Sequence, residues 1–125
     1  MILFTSDLLF GSKILGAAKY AGLRGQGIRN RASLAQHAAA ATHFFLDLET
    51  ELAEGESADE LLDAALGHPH LRVFVFAGHL QTERLRKAQA KLAARGADAQ
   101  QSQVHSRGSL SAHLPTILPP LQGAI

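Results

Sequence analysis

Cysteine is absent from the 125 residues of this chain, which excludes thiol catalysis, disulfide bonds and thiolate metal sites. The chain also lacks an excess of charge, because 12 Lys and Arg stand against 11 Asp and Glu. Domains that bind nucleic acid usually carry a basic stripe, so this balance predicts no nucleic-acid partner. Arg24, Arg29 and Arg31 do cluster, but Gly25, Gly27 and Asn30 lie between them and no aromatic residue joins them for base stacking, which favours a solvated edge.

Long hydrophobic runs are absent as well. No apolar stretch approaches the roughly 20 residues that a membrane-spanning helix needs. The first apolar run stops at Asp7, which is too early for the core of a signal peptide, and no basic segment precedes it. We therefore expect a soluble, cytoplasmic protein that does not contact a membrane.

The composition is that of one globular domain, with 46% hydrophobic and 18% charged residues. A chain of this length can bury roughly two-thirds of its unfolded surface. Pro119 and Pro120 end the last helical pattern, which predicts a domain over residues 1–118 and a tail over residues 119–125.

Short apolar runs alternate with longer segments of helical periodicity. The predicted strands are residues 1–6, 23–30, 42–47, 71–76 and 103–106. The predicted helices are residues 8–21, 34–41, 57–66, 81–95 and 109–118. Ser33 and Ser109 are the expected caps of the second and last helices, and Ser57 opens the third with a capping box one residue out of register. Parallel strands need crossover helices, so this alternation predicts an α/β fold: a flavodoxin-like, doubly wound, five-stranded parallel sheet with helices on both faces.

Polar residues follow several predicted strands, and such an edge is where an open α/β sheet binds ligands. Ser6 and Asp7 follow the first strand, Asp47 closes the third, and Arg107 follows the fifth. Two carboxylates about 5 Å apart repel each other by about 3 kcal/mol at an effective dielectric constant near 20. Mg²⁺ held by Asp7 and Asp47 could relieve this repulsion, and so could Arg107, which is a permanent cation able to bridge both acids.

The fourth strand is followed by Ala77, Gly78 and His79. His79 could approach Asp47 and, with a serine, imitate a hydrolase triad, but no Gly-x-Ser-x-Gly turn is present. His79 is therefore better interpreted as a hydrogen-bonding or surface group.

The same loops offer little to a cofactor. The acid at position 7 stands where a flavin phosphate would bind, which argues against that cofactor.

These residues resemble the receiver domain of response regulators, in an arrangement that covers nearly the whole chain. The resemblance places the family's acidic pair at Ser6 and Asp7, its phospho-accepting aspartate at Asp47, its Thr or Ser at Ala77, and its Lys at Arg107. Three departures stand out: one acid of the pair is missing, Ala77 has no hydroxyl, and Arg107 is longer and planar where the family has a compact ammonium.

The resemblance, with its departures, implies a stand-alone, non-enzymatic pseudo-receiver that signals by binding a protein partner or a second copy of itself. No cofactor is expected for it. An output face is implied on the fourth helix, fifth strand and fifth helix, including Lys87, Lys91 and Arg95. The first alternative is an authentic receiver, phosphorylated at Asp47 with the help of Mg²⁺, and the second is a small hydrolase using His79.

Overall fold

Five parallel strands form one sheet in the part of the chain that the computed structural model describes, residues 1–52, 55–96 and 101–121. The strands are β1 (Ile2–Phe4), β2 (Gln26–Gly27), β3 (His43–Asp47), β4 (Arg72–Ala77) and β5 (Gln103–Ser106). Their order across the sheet is β2-β1-β3-β4-β5, and every neighbouring pair is parallel. The predicted α/β, flavodoxin-like architecture is confirmed.

One helix follows each strand, and the helices cover both faces of the sheet. They are α1 (Leu8–Tyr20), α2 (Arg31–Ala38), α3 (Ala58–Leu66), α4 (Thr82–Ala94) and α5 (Arg107–Ile117). Buried residues of α1 and α5 belong to one hydrophobic cluster, and those of α2, α3 and α4 belong to the other. In the residues described, no helix has both the length and the apolar character required to cross a bilayer.

The two faces of the sheet differ in their side chains. Along β4, Val73 and Val75 pack toward α2, α3 and α4, whereas Phe74 and Phe76 pack toward α1 and α5. This separation follows from the strand period of two. Asp47 has the same parity as Phe45, which belongs to the α1–α5 cluster, and it pairs in register with Phe76. The carboxylate therefore leaves the sheet on the side where α1 and α5 begin.

Two predicted helix caps were wrong by several residues. Helix α2 begins at Arg31, because the Asn30 side chain accepts from the Ser33 N–H and Ser33 returns a bond to the Asn30 backbone in a capping box. Helix α5 begins directly after β5, since Ser106 accepts from the Ser109 N–H. At the start of each of these helices, two polar residues three positions apart are able to cap the helix, and the upstream residue is the cap in both cases.

The third helix also differs from its prediction. The Ser57 hydroxyl accepts a hydrogen bond from the Glu60 N–H, three residues further on, which is the ordinary spacing of an N-cap. The prediction that the capping residues are displaced by one position was therefore wrong.

Two strands are shorter than predicted. β1 ends at Phe4 because Ser6 donates its N–H to the Thr50 hydroxyl instead of joining the ladder. β2 is limited to two exposed residues at the edge of the sheet, within a segment rich in glycine.

Pro119 and Pro120 do not end the contacts of the chain, because the Leu121 N–H donates to the Tyr20 carbonyl 3.0 Å away. The domain boundary at residue 118 stays a prediction.

Candidate functional site at the carboxyl edge of the sheet

Three acids and one arginine meet where β1, β3 and β5 end. Arg107 lies 3.0 Å from Asp47, 2.6 Å from Glu49 and 3.5 Å from Asp7, measured between nitrogen and oxygen. We call Asp7, Asp47, Glu49 and Arg107 the carboxylate–arginine cluster. The sequence predicted that Asp7, Asp47 and Arg107 would lie near one another, and the structure brings them together with Glu49.

Asp47 is the most buried member of the cluster, with 1% of its surface exposed. Its Oδ2 accepts hydrogen bonds from Thr5 Oγ1 at 2.7 Å, Thr50 Oγ1 at 3.1 Å and Arg107 Nη2 at 3.0 Å. Its Oδ1 accepts the Glu49 N–H at 2.9 Å, which makes a local turn at the strand end. Four donors are therefore directed at this carboxylate, three at Oδ2 and one at Oδ1.

The two threonines connect Asp47 to the loop that follows β1. Thr5 Oγ1 accepts the Asp7 N–H at 3.1 Å, and Thr50 Oγ1 accepts the Ser6 N–H at 2.9 Å. Each hydroxyl therefore accepts a hydrogen bond from the backbone and donates one to Asp47. The Ser6 hydroxyl is 3.2 Å from Thr50 Oγ1. Ser6 supports the network through Thr50 and is not a direct partner of Asp47.

Arg107 holds the cluster from its centre, as each of its three nitrogens faces a different carboxylate. Its Cζ lies 6.0 Å from the Phe10 ring centroid and 5.7 Å from that of Phe76, within the range of cation–π attraction. Burial lowers the pKa of Arg107, but the hydrogen bond that it donates to Glu49 and the neighbouring negative charges outweigh burial and raise the pKa above its ordinary value. The residue is a fixed cation.

Glu49 joins β4 to the cluster. Its Oε1 accepts the Gly78 N–H at 2.5 Å as well as Arg107 Nη1. The Gly78 N–H is the main reason that the pKa of Glu49 lies below its usual range; Arg107 lowers it further, while burial opposes both. A Cβ atom at position 78 would lie 3.2 Å from Glu49 Oε1, so glycine permits this close approach.

Asp7 has two roles. Its Oδ1 accepts the Phe10 N–H and caps α1, where a negative charge also favours the helix dipole. Its Oδ2 faces Arg107 Nε, an atom that is buried and has no hydrogen-bond partner among the described residues. Asp7 therefore contributes its charge to the cluster and a hydrogen bond to the helix.

Apart from Gly78, the residues around the end of β4 take little part in the cluster. Ala77 is fully buried and has no polar side-chain atom. His79 lies in an exposed turn and is not among the four hydrogen-bond donors to Asp47 given above. The Asp–His pairing that a hydrolase triad requires is thus not seen in the described residues.

The cluster does not fit Mg²⁺ while Arg107 occupies it. Magnesium requires oxygen ligands at about 2.0–2.1 Å in octahedral geometry. The Asp47 and Glu49 oxygens that could serve are instead in contact with guanidinium nitrogens. Within the described ranges, no group of three His, Asp or Glu side chains is arranged to hold a metal ion.

Sequence reasoning missed Thr5, Glu49 and Thr50. A signal for them was present, because Asp47 is followed at once by Glu49 and Thr50, and a side chain two or three residues after a strand-end aspartate can reach back to it. Thr5 falls within the predicted strand at residues 1–6, where no contact with Asp47 was expected.

No protein-family model matches this chain, and no curated protein sequence does either. Among solved structures, the chain is similar to the signal receiver domain of a Vibrio parahaemolyticus protein described as a Luxo repressor. The TM-score is 0.64 with 14% identity, over 93% of this chain and 83% of that one. The chain therefore has the fold of a receiver domain.

Proposed function

We propose that this chain is a non-enzymatic signalling module with a receiver fold, in which Asp47 serves structure and does not accept a phosphoryl group. One observation carries the proposal: the Asp47 carboxylate is buried and receives four hydrogen bonds, one of them from Arg107. Phosphoryl transfer depends on positioning a nucleophile in line with the leaving group. Three of the four donors are on Oδ2, and together with burial they hold the carboxylate in one orientation beside a guanidinium, which opposes that attack.

The neighbouring residues support the same proposal. Ala77 has no hydroxyl with which to hold a phosphoryl oxygen, and it stands where the resemblance places a Thr or Ser. Arg107 stands where the resemblance places a Lys, and its guanidinium is committed to three carboxylates.

The module would act by binding a protein, and its output face would be α4, β5 and α5. The charged residues expected on that face require a correction. Lys91 lies 3.2 Å from Asp63 of α3, and Arg95 lies 3.8 Å from the same carboxylate, so both side chains are directed toward α3. Lys87 is exposed and remains a candidate contact.

An authentic, Mg²⁺-dependent receiver is the second candidate. The observation that favours it is that Asp7 and Asp47 do face one common cation, as a metal-binding pair would. In that case Arg107 would have to leave the cluster before Asp47 could react.

Beryllofluoride with Mg²⁺, which mimics a phosphoryl group on an aspartate, separates the two candidates. Backbone amide shifts of the ¹⁵N-labelled protein are followed during the titration, with Asp47→Asn as the matched control. We expect no saturable shifts around Asp47. Saturable shifts that disappear in Asp47→Asn would instead establish the phospho-accepting receiver.

A further inference from the structure

The carboxylate–arginine cluster contains its own cation. Arg107 extends from the first residue of α5 and reaches acids on the β1–α1 and β3–α3 connections. Three carboxylates and one guanidinium carry a formal net charge of −2. Arg107 therefore reduces the repulsion among the three acids.

Two aromatic rings and three carboxylates surround the guanidinium. Phe10 and Phe76 lie within 6.0 Å of Cζ on one side of it, since their ring centroids are only 5.1 Å apart. The planar edge presents one nitrogen to each carboxylate. A guanidinium in a site of matching shape, with its charge satisfied, is not readily displaced by a hydrated ion.

Without Arg107, the same three acids would present their oxygens to one volume. Asp7 Oδ2, Asp47 Oδ2 and Glu49 Oε1 all contact the guanidinium now. The other oxygens of Asp7 and Asp47 are held by the N–H groups of Phe10 and Glu49, which fixes the direction of each carboxylate. Hard divalent cations prefer such oxygen ligands.

We infer that Arg107 is a built-in replacement for the divalent cation: the native chain takes up no Mg²⁺ at this edge, and loss of Arg107 exposes a divalent-cation site formed by Asp7, Asp47 and Glu49. This deepens the proposed function, on which it rests, by naming the cation that keeps Asp47 from acting as a phospho-acceptor.

The test is a titration of the full chain with MgCl₂, compared with KCl at equal ionic strength. Amide shifts of Asp7, Asp47, Glu49 and Gly78 are recorded, and MnCl₂ then serves as a probe through paramagnetic broadening of the same signals. The variant is Arg107→Gln, which removes the charge and keeps a polar side chain. Arg86→Gln is the matched control, because Arg86 pairs only with Glu83 on the exposed face of α4 among described contacts.

We expect saturable Mg²⁺ binding in Arg107→Gln, with an apparent affinity about tenfold or more above that of the native chain and of Arg86→Gln. Adding Glu49→Gln to Arg107→Gln should weaken the binding again. Saturable binding to the native chain, or no gain in Arg107→Gln, would overturn the inference.

If Arg107→Gln fails to fold without divalent ions, circular dichroism gives the answer. Recovery of helical signal with MgCl₂ but not KCl supports the inference, and no recovery overturns it. Mg²⁺ binding to the native chain would refute the built-in cation alone, whereas only the beryllofluoride response at Asp47 refutes the proposed function.

Discussion

Two arginines stack against neighbouring rings of β4 at opposite ends of the sheet, and their surroundings differ. Arg107 Cζ lies 5.7 Å from the Phe76 centroid at the carboxyl end, and Arg72 Cζ lies 5.3 Å from the Phe74 centroid at the amino end. Arg107 has three carboxylates around it. Arg72 lies beside His43, whose ring stacks on Phe74 with 5.9 Å between centroids.

The difference follows from the direction of the parallel strands, which places different kinds of charged group at the two ends of the sheet. At the carboxyl end, strands lead into helix N-termini, where acids are favoured, and these acids hold a fixed cation. At the amino end, burial above all, together with Arg72 and the chain's amino group, lowers the pKa of His43 to about 4. One end therefore stabilises ionised groups, whereas the other stabilises a neutral ring.

Loss of Arg107 should give the largest effect. Arg107→Ala leaves the buried Asp47 carboxylate without its cation, and breaking a buried pair by removing one partner costs about 3–5 kcal/mol. Urea unfolding followed by circular dichroism measures the loss, and a double variant with Asp47→Asn should recover part of it. A loss below about 1 kcal/mol would mean that solvent already screens the cluster.

Glu49→Gln should reduce the free energy of unfolding by about 2 kcal/mol, because it removes the negative charge of a carboxylate that accepts hydrogen bonds from both Gly78 and Arg107. The matched control is Glu51→Gln, an exposed acid two residues away, which should change stability little. Equal effects of the two substitutions would contradict the special position of Glu49.

Acid should destabilise the amino end of the sheet through His43. Its pKa is lowered from 6.5 to about 4 in the folded chain. The unfolded chain therefore takes up the proton first, and stability present above pH 6.5 is lost as the pH falls toward 4. After a discount for solvent screening, we expect a loss of about 1–2 kcal/mol.

His43→Phe is the control for this titration, because the phenyl ring can stack in the same place without binding a proton. Burial also lowers the pKa of His105, as does His113, so a smaller loss of the same sign should remain in His43→Phe. Unfolding curves from pH 7.5 to 4 measure both contributions. An unchanged pH dependence in His43→Phe would assign the acid sensitivity to other groups.

Asp7 should show the smallest effect, and it separates helix capping from charge. Asp7→Asn keeps an acceptor for the Phe10 N–H and should cost less than about 0.5 kcal/mol, whereas Asp7→Ala should cost about 1 kcal/mol. Thermal unfolding of both variants measures the difference. A large loss of stability in Asp7→Asn would show that the attraction between the Asp7 charge and Arg107 matters more than the helix cap.

The architecture could be predicted from sequence because it depends on repeated patterns. The third and fourth strands have continuous apolar centres, residues 44–46 and 73–77, and helical segments separate them, which favours a parallel sheet covered on both faces. Cap residues were less predictable: Asn30 and Ser33, or Ser106 and Ser109, are equally good acceptors locally, so the local sequence does not select one of them.

The sequence by itself determined that Asp7 and Asp47 lie at one edge of the sheet and that a cation would relieve their repulsion. Tertiary structure decided how Arg107 meets them: the parity of β3 directs Asp47 toward the start of α5, where Arg107 reaches it and Glu49 completes the contact. Strand alternation is local and can be read along the chain. The meeting of Asp47 and Arg107 joins residues 60 positions apart, and only packing of the helices on the sheet fixes their distance.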